Sequence, residues 1–190
     1  DREITPEFIS QLAYEAEVLE HHSPGGKMDQ YTIGIGNIVF IETGDCFNYE
    51  LIGEKLNGMV LGESGIAKDT IGLLKSSKTN AIKAIQIIQD KEAKFLLEKA
   101  SIKDHNNYKA LLPDELKPYF YAAIQNHIIT QKALRALKET TLNYPLIGDL
   151  INQHHRILRD DLKLTVPKID AMVDAAVDAG AYGAKIIGSG

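Results

Sequence analysis

Ser23-Pro24-Gly25-Gly26-Lys27-Met28-Asp29-Gln30 is a glycine turn opening onto a helix with an acid in its first turn. Two adjacent glycines let the backbone approach a ligand closely, and a helix start offers free N–H groups and the positive end of a dipole. A carboxylate there stays ionised, as a group that orients or deprotonates a hydroxyl must. The same residue also has a plainer use, because an Asp at the start of a helix stabilises that helix. On spacing alone both readings of Asp29 stand.

Working outward, the chain has 190 residues, 44% hydrophobic and 25% charged, the composition of an ordinary globular protein. That length accommodates one domain, or one and part of another. A net charge of -5 without clustered Lys and Arg argues against a nucleic-acid surface and for a small-molecule partner. The single cysteine, Cys46, rules out an internal disulfide, fits a reducing cytosol and reads as a small, partly buried apolar residue. No apolar run approaches the roughly 18 to 20 residues of a membrane span, and no charged-then-apolar leader opens the chain. The expectation is a soluble, cytoplasmic protein without nucleic-acid or membrane partners. Its oligomeric state is not legible. Starting at Asp1 without an initiator Met and stopping at Gly190 within a glycine motif, the chain reads as a fragment.

Thr5-Pro6 is a helix start, with a hydroxyl cap and a proline at the first helical position. Phe8, Ile9, Leu12, Ala16 and Leu19 then recur at helical spacing as far as His21 and His22. Adjacent histidines point in different directions and no third ligand follows at a metal-binding spacing, so this pair reads as solvated helix-end residues. Three apolar stretches, Asn37 to Glu42, Phe47 to Ile52 and Met59 to Leu61, are punctuated by Gly44-Asp45 and Asn57-Gly58 and predict a small antiparallel sheet. Beyond Thr70 the pattern is helical, with Ile82, Ile85, Ile88, Phe95 and Leu96 as a buried stripe and breaks at Pro113 and Pro118. Further helices are expected from about Tyr119 to Lys138, Pro145 to Leu158 and Pro167 to Ala179, with Ile124, Ile128, Ala133 and Leu137 in the core. Gly183 to Ile187 reads as a short strand entering a glycine turn. Strands and helices in separate runs make the fold class α+β, a small antiparallel sheet with a helix-rich C-terminal domain.

Three segments carry a resemblance. Gly26-Lys27-Met28-Asp29-Gln30 resembles the G-x-M-D-Q segment of galactokinases, within the GHMP superfamily of sugar and metabolite kinases. Asn152 to Asp161, with Val166-Pro167-Lys168-Ile169-Asp170 after it, is similar to that family's N-x-x-H-x-x-L-R-D-D helix and C-P-x-L-D segment. Tyr182-Gly183-Ala184-Lys185-Ile186-Ile187-Gly188-Ser189-Gly190 resembles the third motif, Y-G-A-R-x-x-G-x-G. The three occur in the family's order and separation. The family's first motif and its phosphate-cradling second motif are not among these residues, so the chain corresponds to the part that follows them.

The resemblance implies an ATP-dependent kinase that phosphorylates a hydroxyl of a monosaccharide, with magnesium. It implies residues 1–62 as the remaining part of the N-terminal GHMP kinase domain and 63–190 as the C-terminal domain, truncated within its glycine motif. Asp29 becomes the catalytic base, or the electrostatic partner of the accepting hydroxyl. Gly26 brings its backbone to the sugar, and Gly188, Ser189 and Gly190 form a nucleotide, phosphate or substrate loop. Lys27 stands where galactokinases commonly carry an apolar residue and reads as a surface charge, the alternative being a local field on the substrate. His155 and Arg159 read as residues that hold helices and loops together. Asp160-Asp161 is read as solvated rather than as a metal site, and no metal ligands are assigned.

The chain departs from the galactokinase pattern at Gly62 to Thr70. Ser64 and Ile66 fit the S-N-V-x-H-x-L-x-x-S-x-Y stretch, but Lys68 takes the histidine position and no tyrosine follows at the expected spacing. The segment reads equally as a glycine turn and helix cap at Asp69 or Thr70. Other acceptors, a sugar derivative or mevalonate, therefore stay open, as does a non-catalytic sugar sensor built on the kinase fold.

Overall fold

A computed structural model describes residues 3–22, 25–43, 47–53, 56–66 and 70–187. Ser23, Pro24, the Gly44-Asp45 turn, Cys46, Lys68, Asp69 and the loop residues Gly188, Ser189 and Gly190 lie outside the described residues. The chain forms two compact units, residues 1–61 and 62–190.

In the first unit, α1 (Pro6–Tyr14) begins at the predicted cap: Thr5 is extended, and its Oγ1 accepts the Phe8 N–H at 3.2 Å. From Glu15 to Glu20 the winding loosens into a π-helix that ends at the exposed His21 and His22. A second helix, α2 (Met28–Ile35), packs on α1 and places Asp29 in its own first turn. Two strands follow, β1 (Ile38–Thr43) and β2 (Phe47–Ile52), antiparallel, with Ile38 opposite Ile52 and Thr43 opposite Phe47. The predicted third strand does not form: Met59, Val60 and Leu61 pair with no strand among the described residues and stand exposed. An apolar run of three residues becomes a strand only where an edge is at hand to pair with it.

The amphipathic stripe of α1 exists, but Phe8, Ile9, Leu12, Ala16 and Leu19 are exposed. The helix buries instead the side carrying Ser10, which is fully buried and satisfies its hydroxyl by donating to the Pro6 carbonyl at 2.7 Å. The cause is Gly34 of α2. A Cβ at Gly34 would overlap Ser10 Oγ and lie 3.3 Å from the Pro6 carbonyl oxygen, so the two helices meet there through glycine and serine rather than through the larger apolar residues.

The second unit is helical. α3 (Thr70–Lys91) buries Ala84 and Ile88 against Phe95, Leu116, Phe120 and Ile124, while Ile82 and Leu96, assigned to the same stripe, remain largely exposed. A short helix that the sequence pattern did not signal, α4 (Ile102–Tyr108), starts where Asp104 accepts the Ser101 N–H at 2.8 Å and its hydroxyl at 2.6 Å. Pro118 falls in the first turn of α5 (Lys117–Leu137), where it begins a helix instead of breaking one. α6 (Tyr144–Arg156) is capped by Asn143, whose Oδ1 accepts the Leu146 N–H at 3.0 Å, and passes into a π-helical turn, Ile157–Asp161. α7 (Pro167–Asp178) follows. Ala122 and Ile129 of α5 meet Leu150 and Ile157, and Leu158, Leu164, Ile169 and Ile186 close a further cluster around the C-terminal segment. Seven α-helices and one two-stranded antiparallel sheet among the described residues bear out the α+β class.

The Gly34 contact yields a direct test. Replacing Gly34 with Ala forces α1 and α2 apart or distorts one of them, at a cost of about 1 to 3 kcal/mol. Urea unfolding followed by circular dichroism should show the loss, and an unchanged midpoint would mean that the helices do not approach at Ser10.

Candidate functional site

Asp29 owes its position to the opposite side of its own helix. Lys27, Gln30, Tyr31 and Gly34 fall at i, i+3, i+4 and i+7 and form the anchored face of α2. The Tyr31 N–H donates to the Lys27 carbonyl at 3.2 Å as the first helical bond. Gln30 Nε2 donates to Glu17 Oε2 at 2.8 Å, and the Tyr31 hydroxyl donates to Gln11 Oε1 at 2.7 Å. Burial pushes the Tyr31 phenol up from its ordinary value, with the charge of Glu15 adding to it, so the hydroxyl remains a donor at neutral pH. Met28, Asp29 and Ile33 occupy the other side and are exposed. Among the described residues the Asp29 carboxylate has no hydrogen-bond or ion-pair partner. Gly26, three residues earlier, has open space where a Cβ would stand.

Lys27 departs from its reading as a surface charge. It is half-buried and sits at the N-cap without capping the helix through its side chain. Its Nζ lies 5.1 Å from the ring centroid of Tyr14, 5.9 Å from Tyr31 and 4.8 Å from Phe47. The Tyr31 and Phe47 rings themselves touch, with centroids 4.2 Å apart and planes tilted by 48°. No sequence spacing announced this group, because its rings come from α1, α2 and β2.

The C-terminal motif is held differently from the predicted strand. Residues 183–187 join no sheet among the described residues, and side chains of α6 supply the pairing. Asn152 spans Gly183, its Nδ2 donating to the Tyr182 carbonyl at 3.1 Å and its Oδ1 accepting the Ala184 N–H at 2.9 Å. His155, only 2% exposed, accepts the Ile186 N–H on Nδ1 at 3.4 Å. One turn above Asn152, the backbone of Gly148 lies against Tyr182 and Gly183. A Cβ at 148 would stand 2.5 Å from Tyr182 Cβ, and one at 183 would stand 2.7 Å from Gly148 Cα. Arg159 reaches Asp160 at 2.9 Å and Asp174 at 3.3 Å, tying the π-turn to α7. His155 and Arg159 thus do the holding that their motif positions suggested, and Asp160 spends one oxygen on Arg159.

Burial sets the charge states here. His154 is pushed down to about 4 by burial, helped by the positive charge of Lys185, and His155 is lowered by burial and by Arg159. Lys185 is lowered by burial, and its Nζ donates to the Ile186 carbonyl. Neutral His155 accepts on Nδ1 and therefore carries its proton on Nε2, which faces Asp170 Oδ1 at 3.6 Å. In the departing segment the Ser64 hydroxyl accepts the Ile66 N–H at 3.2 Å around Gly65, the local turn allowed for there. Among the described residues no group of three or more His, Cys, Asp or Glu side chains is arranged to hold a metal ion, and no helix is long and apolar enough to cross a membrane.

Residues 131–190 match the family model described as GHMP kinases C terminal. The galactokinase of Fusobacterium nucleatum is 27% identical over 196 residues, covering 96% of this chain and 49% of the relative. That of Clostridium beijerinckii is 28% identical over 175 residues, covering 87% of this chain and 44% of the relative. The crystal structure of Lactococcus lactis galactokinase complexed with galactose aligns over all of this chain and 50% of its own, with a TM-score of 0.80 at 21% identity, a likeness of fold. The chain spans about half the length of the curated relatives it matches.

The lowered pKa of half-buried His154 makes stability pH-dependent with a defined sign. In the unfolded chain His154 takes up its proton near 6.5, and in the folded chain only near 4. The unfolded state therefore binds the proton first, so this contribution is whole above pH 6.5 and is lost as the pH falls towards 4. The melting temperature should drop across that window, and His154→Gln should flatten the slope; an equal slope in both proteins would refute the assignment.

Proposed function

We propose that the chain is a galactokinase-like GHMP kinase sequence and that it serves an ATP-dependent kinase that phosphorylates a hydroxyl of a monosaccharide. Asp29 carries the reading. It is an exposed carboxylate in the first turn of a helix, without a partner among the described residues, next to a glycine turn and inside the Met-Asp-Gln match. Neither the packing of the first unit nor a positive φ demands glycine at 26, and the resemblance to galactokinases supplies a reason for it, close approach of its backbone to the sugar.

Phosphoryl transfer asks the protein mainly to position the reactants and neutralise charge. The acceptor oxygen bonds to the γ-phosphorus of ATP as the bond from that phosphorus to the leaving oxygen of ADP breaks. Asp29 accepts the hydrogen bond of the acceptor hydroxyl, and either takes its proton or stabilises it electrostatically. Gly26 offers backbone to the sugar, and Gly188, Ser189 and Gly190 form a loop towards phosphate or substrate. Magnesium accompanies ATP in this reading. Among the described residues no group of three or more His, Cys, Asp or Glu side chains is arranged to hold it.

By the same reading residues 1–62 belong to the N-terminal GHMP kinase domain and 63–190 form the C-terminal one, in a cytoplasmic enzyme. Turnover belongs to a protein that also carries the phosphate-cradling motif absent from these residues. The departure at Lys68 keeps the acceptor broader than galactose and admits another sugar derivative or mevalonate.

Coupled ADP release with magnesium ATP, over a panel of galactose, arabinose, glucuronate and mevalonate, should find one acceptor for the whole protein. Asp29→Asn should then lower turnover by about 100-fold or more while leaving the circular dichroism spectrum intact. Undiminished turnover would remove Asp29 from the chemistry, and sugar binding without turnover on any acceptor would replace the kinase with a sensor.

A further inference from the structure

The first turn of α2 has no side-chain cap, since Lys27 occupies the N-cap and directs its side chain elsewhere. The two residues before it are glycines and bring no side chain to the turn. Within Gly25-Gly26-Lys27, only the lysine carries a side chain. That side chain ends among three rings, each centroid within the roughly 6 Å over which a cation is attracted to an aromatic face. Tyr14 is the last residue of α1, Phe47 is the first of β2, and Tyr31 lies one turn along α2 itself. A single ammonium thus joins three elements at the point where the glycine turn becomes a helix.

We propose that Lys27 is a positioning residue: its ammonium, held by the rings of Tyr14, Tyr31 and Phe47, fixes the turn that presents Asp29. This rests on the kinase reading for its catalytic consequence, though not for the cage itself. Asp29 lies on the opposite side of the helix, two residues on, so it receives the orientation without sharing the anchor. Nucleophile positioning tolerates little error, and a small displacement of a first-turn carboxylate lowers turnover more than ground-state binding. It also accounts for a lysine where galactokinases commonly have an apolar residue: the methylene stem covers apolar surface and the charge finds ring faces instead of water.

Three variants separate cation from stem. Lys27→Met keeps an unbranched apolar chain without the charge, Lys27→Arg keeps a cation, and Lys27→Ala removes both. In the 190-residue chain, NMR should find the Lys27 ε-methylene protons shifted upfield by the rings. The Tyr31 amide, bonded to the Lys27 carbonyl, should exchange about tenfold faster in the Met and Ala variants and near the original rate in Arg. In the whole protein, Lys27→Met should lower kcat about tenfold with the acceptor KM within about twofold, and Arg should restore it. Free-lysine shifts, or Met exchanging like the original, would overturn the anchor whether or not any acceptor is found. An intact anchor with kcat untouched in Met would overturn the positioning role. Failure of every acceptor in the original protein, with the shifts and exchange as expected, would count against the kinase reading and leave the anchor standing.

Discussion

The backbones of Gly148 and of Tyr182-Gly183 lie against each other with no room for a Cβ on either glycine. This approach brings the C-terminal segment close enough for Asn152 to bond on both sides of Gly183 and for His155 to accept from Ile186. Ile186 then completes the cluster with Leu158, Leu164 and Ile169, so the π-turn after α6, the following loop and α7 all pack on a segment that the glycine contact admitted. An extended segment normally satisfies its backbone on a neighbouring strand, and here helix side chains take over that task. The first unit repeats the principle on a smaller scale, where Gly34 lets α2 settle on Ser10.

Tight approach of this kind has an electrostatic cost. Two histidines and a lysine packed around the partly buried C-terminal segment lose hydration, and the two histidines answer by remaining neutral. Neutral His155 is useful because its Nδ1 is an acceptor for a backbone N–H, which a protonated ring cannot be. The charge of Lys27 meets the same problem differently. It lies next to ring faces that attract a cation, so its stem can be half-buried without an acidic partner among the described residues.

The proposed function draws on what these anchors leave exposed. Gln30 and Tyr31 tie one face of α2 to Glu17 and Gln11, and Asp29 stands exposed on the other. The galactokinase relatives extend over roughly twice the span of this chain, and a kinase needs parts that these residues do not supply. What is present is the acid at a helix start and a C-terminal segment held by Asn152 and His155.

The sequence by itself determined the helices and their beginnings. Thr5-Pro6, Pro145 and Pro167 mark starts that the structure reproduces within a residue or so, because a cap or a first-turn proline acts on its nearest neighbours alone. It also determined the α+β class, the β1–β2 pair and the acid in the first turn of α2, and its motifs carried the galactokinase likeness. Tertiary structure decided which faces were covered. The apolar stripe of α1 stayed exposed because Gly34 drew α2 onto Ser10, and Met59 to Leu61 found no edge to pair with. Residues 183–187 were claimed by Asn152 and His155, and Lys27 by rings from as far away as Phe47. Periodicity reports that a residue is apolar and which neighbours share its face; what that face meets depends on residues tens of positions away, which no local pattern encodes.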